Sequence, residues 1–197
     1  MSTVDSVILR GESPREQGAV RSLNEAAFGR PDEADLIDRL RTEGAVLASF
    51  VAECEQRIVG HILFSRMLIE TGNGTMSAVA LAPLAVLPEH QRRGVGGQLI
   101  RHGLDWLRER GEQVVIVLGH PEYYPRFGFS SDRARSLASP FPAEAFMALE
   151  LLPGALDGIR GRVRYPRSDF KSHGQNPSMP LGVGPDLDTG RSRRRSS

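Results

Sequence analysis

Along the chain, stretches in which apolar residues recur every second position give way to stretches in which they recur every third or fourth. Residues 4–10 alternate weakly and predict a short first strand. Ser13-Pro14 then opens a helix, with serine as N-cap, proline at the first helical position and Glu16 in the first turn. Val20, Leu23, Ala27 and Phe28 give it an apolar stripe. Gly29-Arg30-Pro31-Asp32 breaks that helix. A second one starts at or beside Asp32, carries Leu36, Ile37 and Leu40 on one face, and ends at Gly44. Three strand segments follow, at 47–53, 57–70 and 75–87. Glu55-Gln56 turns between the first two. Thr71-Gly72-Asn73-Gly74 turns between the last two, because Asn-Gly accepts the positive φ of a hairpin.

The clearest helix spans 94–110. Leu99, Ile100, Gly103, Leu104 and Leu107 form its inner stripe, while Arg101, Asp105, Arg108 and Glu109 face outward. Gly111 stands at the position where a left-handed residue ends a helix. Residues 114–118 are an unbroken β-branched and leucine run, as expected of a strand covered on both faces. Strand, helix and strand in that order predict one right-handed crossover. Residues 120–129 read as a loop, a short helical turn over 121–126 and a new strand starting near Phe127. Further strands are expected at 146–152 and 161–165. Pro83 lies inside the third meander strand. It has no N–H to give a ladder, so it marks a bulge or an interrupted pairing there.

With 197 residues, 40% hydrophobic and 25% charged, the chain is long enough for one domain with a real core. That domain is expected over 1–170. Residues 171–197 are rich in Pro, Gly, Ser and Arg, and are expected to be disordered. The longest apolar run, 77–88, is too short to span a bilayer, and MSTVDSVILR lacks the basic-then-apolar pattern of a leader. Cys54, the single cysteine, excludes an internal disulfide and fits a reducing, cytoplasmic setting. It falls in a strand and reads as buried filler. Net charge is +1, so no overall field draws nucleic acid, and Arg191, Arg193, Arg194 and Arg195 read as a solvated tail. His61, His90, His102 and His173 show no metal-ligand spacing, and no metal is expected.

The chemistry concentrates in Gln91-Arg92-Arg93-Gly94-Val95-Gly96-Gly97, which joins a strand to the best helix. The first helical N–H groups have no intrahelical partner, the helix dipole adds about half a positive charge there, and Arg92 and Arg93 add full charges nearby. Such an end holds phosphate. The Gly-Lys-Ser/Thr of a nucleotide-binding P-loop is absent. A dinucleotide fingerprint fails because Leu99 occupies its third glycine position.

The spacing Gln91-x-x-Gly94-x-Gly96 instead resembles the pyrophosphate motif of the GNAT (general N-acetyltransferase) superfamily. A second motif follows a helix and a strand later. Tyr124-Pro125-Arg126-Phe127-Gly128-Phe129 resembles the family's tyrosine-bearing short helix and the Gly-Phe pair after it, and LGHPEYYPRFGF is similar to a bacterial subgroup of N-acetyltransferases. The likeness covers roughly residues 5 to 168. It implies a three-layer α+β fold with a mixed, mostly antiparallel sheet splayed in the middle. It also implies a pantetheine arm lying in the splay against the backbone of Leu84, Ala85 and Val86. The N–H groups of Arg92 to Gly97 would hold the pyrophosphate, with Gln91 part of the motif, and Tyr124 would protonate the leaving thiolate. The implied reaction is transfer of an acetyl group from acetyl-CoA to a primary amine by direct attack. The alternative is a GNAT-fold module that binds acyl-CoA without turning it over.

A lysine-like amine has a pKa of about 10.4, so roughly one molecule in a thousand is neutral near pH 7.4, a penalty of about 4 kcal/mol. No carboxylate stands in 75–87 to act as base. Glu25, Glu33, His120 and a water chain are the remaining options. The acceptor is not encoded in any spacing, and a monomer and a homodimer fit equally.

Overall fold

Residues 6–165 are described by the computed structural model, so the expected tail and its arginines lie outside them. The alternating segments become strands β1 (Ile8–Gly11), β2 (Val46–Cys54), β3 (Arg57–Thr71), β4 (Gly74–Val86), β5 (Val114–Leu118), β6 (Leu137–Ala138), β7 (Phe146–Glu150) and β8 (Gly161–Arg164). They form one sheet whose main path runs β1-β2-β3-β4-β5-β7. Neighbours on that path are antiparallel except β4 and β5. β8 lies against Leu68 to Thr71 of β3 and takes β6 in parallel. Glu55 and Gln56 both adopt positive φ in the turn between β2 and β3.

Among the described residues there are four α-helices: α1 (Gln17–Phe28), α2 (Asp32–Thr42), α3 (Val95–Glu109) and α4 (Ser131–Ala134). A 3-10 turn, Pro14–Glu16, precedes α1. There Glu16 accepts from the Ser13 N–H at 2.7 Å, closing a capping box. The stripes foreseen in the sequence bury against opposite faces of the sheet. Val20 of α1 and Ile37 and Leu40 of α2 pack with Val51 and Leu63. Leu99, Ile100 and Leu104 of α3 pack with Ile62, Phe64 and Leu81. Gly103 lets α3 rest directly on β3, because a Cβ there would stand 2.2 Å from Phe64 Cε2. The result is the mixed, mostly antiparallel three-layer α+β fold.

Two stretches depart from the expectation. No strand starts at Phe127. Tyr124–Phe127 is a 3-10 turn with Pro125 in its first positions, and Gly128 follows with φ of 92°. A single bridge pairs Ser130 with Ala148, and the Ser130 hydroxyl accepts the Asp132 N–H at 3.2 Å, capping α4 instead of extending a strand. The strand expected at 146–152 ends at Glu150, where the Leu151 N–H turns to the Gln113 carbonyl at 2.8 Å. α4 and β6, at four and two residues, are too short to carry a period.

Pro83 sits at a bulge, as expected. The pairing with β3 passes from Phe64↔Leu81 to Ile62↔Leu84, so β4 contributes one extra residue. The parallel pairing with β5 covers only Val79 to Leu81. β4 therefore runs on through Leu84, Ala85 and Val86 without β5 beside it.

Candidate active site

The open side of β4 can be read from its ladder. The Leu87 N–H bonds to the Val59 carbonyl at 2.9 Å. In an antiparallel pair such bonds alternate, so in the register Val86↔Gly60, Ala85↔His61, Leu84↔Ile62 it is Ala85 whose N–H and C=O face β3. Leu84 and Val86 turn theirs toward the gap left by β5. This corrects the expectation for Ala85, whose polar backbone groups are taken by the ladder. The Val86 carbonyl also accepts from Gln91 Nε2 at 2.9 Å. The side chain of Gln91 thus braces the turn against the strand end instead of reaching toward a ligand.

Beyond Gln91 the chain tightens. Arg92 has φ of 59° and Gly94 has φ of 83°, and Gly94 serves as N-cap of α3 without a capping side chain. Left-handed backbone is open to glycine at little cost, which explains Gly94. The first intrahelical bond runs from the Gln98 N–H to the Gly94 carbonyl at 3.0 Å, so the N–H groups of Val95, Gly96 and Gly97 precede the ladder. The Val95 side chain is buried in the core, and its contribution at this end is its backbone. Arg92 and Arg93 are exposed beside the turn. The sequence had not singled out Arg101, yet a Cβ at Gly97 would lie 3.4 Å from its Nη1, so its guanidinium adds charge next to the same helix end. Arg101 itself lies over the Phe127 ring at 5.3 Å.

Tyr124 lies past the end of β5, on the far bank of the gap. It is fully buried. Its ring rests on Gly119, where a Cβ would come within 2.0 Å of Tyr124 Cε2. The rings of Tyr123 at 5.3 Å and Phe129 at 5.6 Å hold it edge-on. The hydroxyl has no hydrogen-bond partner among the described residues. Burial first, and the neighbouring Tyr123 second, push its pKa well above the usual 10, so the phenol stays protonated. Tyr123 is itself buried, packed between the rings of Tyr124 and Phe127.

The base candidates separate. Glu25 is half-buried and pairs with Arg21 at 3.0 Å. Glu33 is buried; one oxygen meets Arg30 at 3.0 Å and the other has no partner among the described residues. His120 is half-buried, and its carbonyl accepts the N–H groups of Tyr123 and Tyr124 at 3.0 and 3.4 Å. No group of three or more His, Cys, Asp or Glu among the described residues is arranged to hold a metal.

A buried polar cluster that no sequence pattern signals lies between α1 and the β2–β3 pair. His61 is fully buried, with Nδ1 3.2 Å from Asn24 Nδ2 and Nε2 2.9 Å from Ser49 Oγ. Ser49 bonds to Glu12, and Glu12 bonds to Arg41. Burial, and then Arg41, lower the His61 pKa from 6.5 to about 3. The unfolded chain accepts a proton below about pH 6.5 that the folded chain refuses until near pH 3, so stability falls as pH drops through that window. Between pH 7 and pH 5 the loss is expected to be about 2 kcal/mol larger for the parent chain than for His61→Gln, as measured by urea unfolding. Equal losses in the two proteins would refute this account.

Known proteins share this fold. The profile of the acetyltransferase (GNAT) domain matches residues 12–131, more than half of the chain. The uncharacterized N-acetyltransferase YjhQ of Escherichia coli is 45% identical over 130 residues, covering 64% of this chain and 72% of its own length. The crystal structure of the E. coli GNAT family N-acetyltransferase YhbS in complex with CoA superposes with a TM-score of 0.76 at 30% identity, over 84% of this chain and 92% of that one. A GNAT family acetyltransferase from Brucella melitensis in complex with acetyl-CoA gives a TM-score of 0.68 at 34% identity, over 82% and 96%. With a splayed β4, a glycine turn opening α3 and a profile match across both, the chain belongs to the GNAT acetyltransferase family.

Proposed function

We propose that the protein transfers an acetyl group from acetyl-CoA to a primary amine by direct attack in a ternary complex. One observation carries this: the open edge of β4 leads to the N-terminus of α3, while past the end of β5, the strand that leaves β4 there, the Tyr124 hydroxyl is buried without a partner among the described residues. The residues fit the co-substrate along that line. The backbone of Leu84 pairs with an amide group of the pantetheine arm, as an added strand would. The N–H groups between Arg92 and Gly97 take the pyrophosphate, with Arg92 and Arg93 supplying charge.

The amine nitrogen bonds to the thioester carbonyl carbon, and the C–S bond then breaks. The Val86 N–H faces the carbonyl oxygen as charge develops on it. The Tyr124 hydroxyl donates its proton to the departing sulfur. The amine releases a proton to water, and the phenol is restored from solvent. A thiol has a pKa of about 8.5, below that of the buried phenol. The same burial that penalises a phenolate also penalises a thiolate, so the hydrogen bond to sulfur keeps its value. With its lone cysteine buried, the chain fits the reducing cytoplasm. No helix among the described residues is long and apolar enough to cross a membrane.

The test is thermal stability with CoA, together with thiol release from acetyl-CoA over hydroxylamine, ethanolamine, spermidine and a lysine peptide. CoA at 100 times its dissociation constant is expected to stabilise the fold by about 2.7 kcal/mol. No stabilisation by millimolar CoA would sink the proposal. Stabilisation without thiol release for any amine would favour a non-catalytic acyl-CoA-binding module.

A further inference from the structure

Asn24 lies in the middle of α1 and is fully buried. Its Nδ2 donates to the Val20 carbonyl at 2.8 Å and to His61 Nδ1 at 3.2 Å. The first bond fixes which way the amide points, because an oxygen in that place would face another oxygen. The rest of the cluster then runs in one direction. His61 Nδ1 accepts, so the proton of the neutral ring is on Nε2 and is given to Ser49 Oγ at 2.9 Å. The Ser49 hydroxyl donates to one oxygen of Glu12, and Arg41 donates to the other. The donors and acceptors along this chain are matched down to one atom. Asn24 Oδ1 is a buried acceptor without a partner among the described residues. Such an atom carries an uncompensated desolvation penalty when nothing bonds to it.

Its location is specific. α1 packs against β3 and β4. His61 is the cross-strand partner of Ala85, between the two residues that open toward the gap. Leu23 and Ala27, on the same part of α1, share one packed cluster with Ala85, Val86 and Tyr124. Asn24 therefore lies on the part of α1 that packs against β3 and β4, and Tyr124 follows the end of β5.

We propose that Asn24 Oδ1 accepts a hydrogen bond from the attacking amine, across the gap from Tyr124; this rests on the reaction proposed above. As the C–N bond forms, the nitrogen gains positive charge and its N–H becomes a stronger donor. The bond is thus stronger in the transition state than in the ground state. A neutral amide takes no proton, so Asn24 orients the amine lone pair and is not the base. Glu12, Arg41, Ser49 and His61 are positioning residues that hold the amide in place.

The experiment uses the full chain, acetyl-CoA and the amine of the panel that is acetylated fastest. Asn24→Ala is expected to lose roughly 10- to 100-fold in kcat/KM for the amine while its CoA dissociation constant stays within about twofold. Ser49→Ala interrupts the chain two bonds away with little change of volume and is expected to lose several-fold, with Ser49→Thr restoring most of it. Unchanged kcat/KM in Asn24→Ala overturns the proposal. So does an equal loss of CoA affinity, which would assign Oδ1 to the pantetheine amide. If Asn24→Ala does not fold, an unchanged Ser49→Ala overturns it instead. A parent chain that CoA fails to stabilise would remove the underlying reaction, and this proposal with it.

Discussion

Tyr124→Phe is expected to bind CoA as tightly as the parent chain, to release thiol roughly 100-fold more slowly or worse, and to be no less stable. The three outcomes follow from one atom. The hydroxyl is the only group removed, and among the described residues it bonds to nothing. Taking an unpaired hydroxyl out of a buried site removes a desolvation penalty of about 1–3 kcal/mol, so the melting temperature should hold or rise. The pyrophosphate turn and the β4 edge are untouched, which leaves CoA binding intact. Only the proton for the leaving sulfur is lost, and a positioned general acid contributes about 10²–10⁴ in rate. Thermal melts with and without CoA, beside thiol-release rates, measure all of this. A mutant that turns over at the parent rate would assign Tyr124 to packing alone. Because burial holds the phenol well above its ordinary pKa, any fall in rate between pH 8 and 10 belongs to another group.

Gly119→Ala is expected to do what Tyr124→Phe does not: lower stability and turnover together. The added methyl would stand 2.0 Å from Cε2 and 2.5 Å from Cδ2 of the Tyr124 ring. Tyr123 and Phe129 already flank that ring, so it has no easy way to retreat. Gly119 is held in turn by its own N–H, which bonds to the Ala145 carbonyl at 2.9 Å. Overpacking of this kind costs about 1–3 kcal/mol. The displaced hydroxyl should lose its line to the sulfur, and displacements near 1 Å can cost about 10²-fold in rate. Urea unfolding and thiol release are the measurements. A fully active, fully stable Gly119→Ala would mean that the ring moves freely and that its placement does not matter to the chemistry.

Much of the site was legible before folding because its features are local. The turn from Gln91 to Gly97 is contiguous, and the α3 stripe from Leu99 to Leu107 has a period that stands out. Pro83 announces a bulge because a missing N–H is a property of the residue itself. Other features were not legible. Ala85 was expected to offer its backbone to the ligand, but which strand residues face outward depends on the phase of a ladder set at Val59 and Leu87. Residues 127–129 looked like the start of a strand. Pro125 and the left-handed Gly128 keep them in a turn, and Ser130 then caps a helix. Glu12, Asn24, Arg41, Ser49 and His61 each read as an unremarkable polar residue on its own element, and only packing brings them into one chain of hydrogen bonds.

The sequence by itself determined the meander and its turns, the crossover into α3 and the glycine-rich turn that opens it. All of these follow from periodicity or from neighbours within a few residues, where backbone geometry leaves few choices. Tertiary structure alone decided that Leu84 and Val86, and not Ala85, face the gap, and that the Tyr124 hydroxyl and Asn24 Oδ1 are buried without a partner among the described residues. Those depend on packing between elements, with Asn24 and His61 standing 37 positions apart, and a buried polar atom takes its meaning from what packing places, or fails to place, within hydrogen-bond reach.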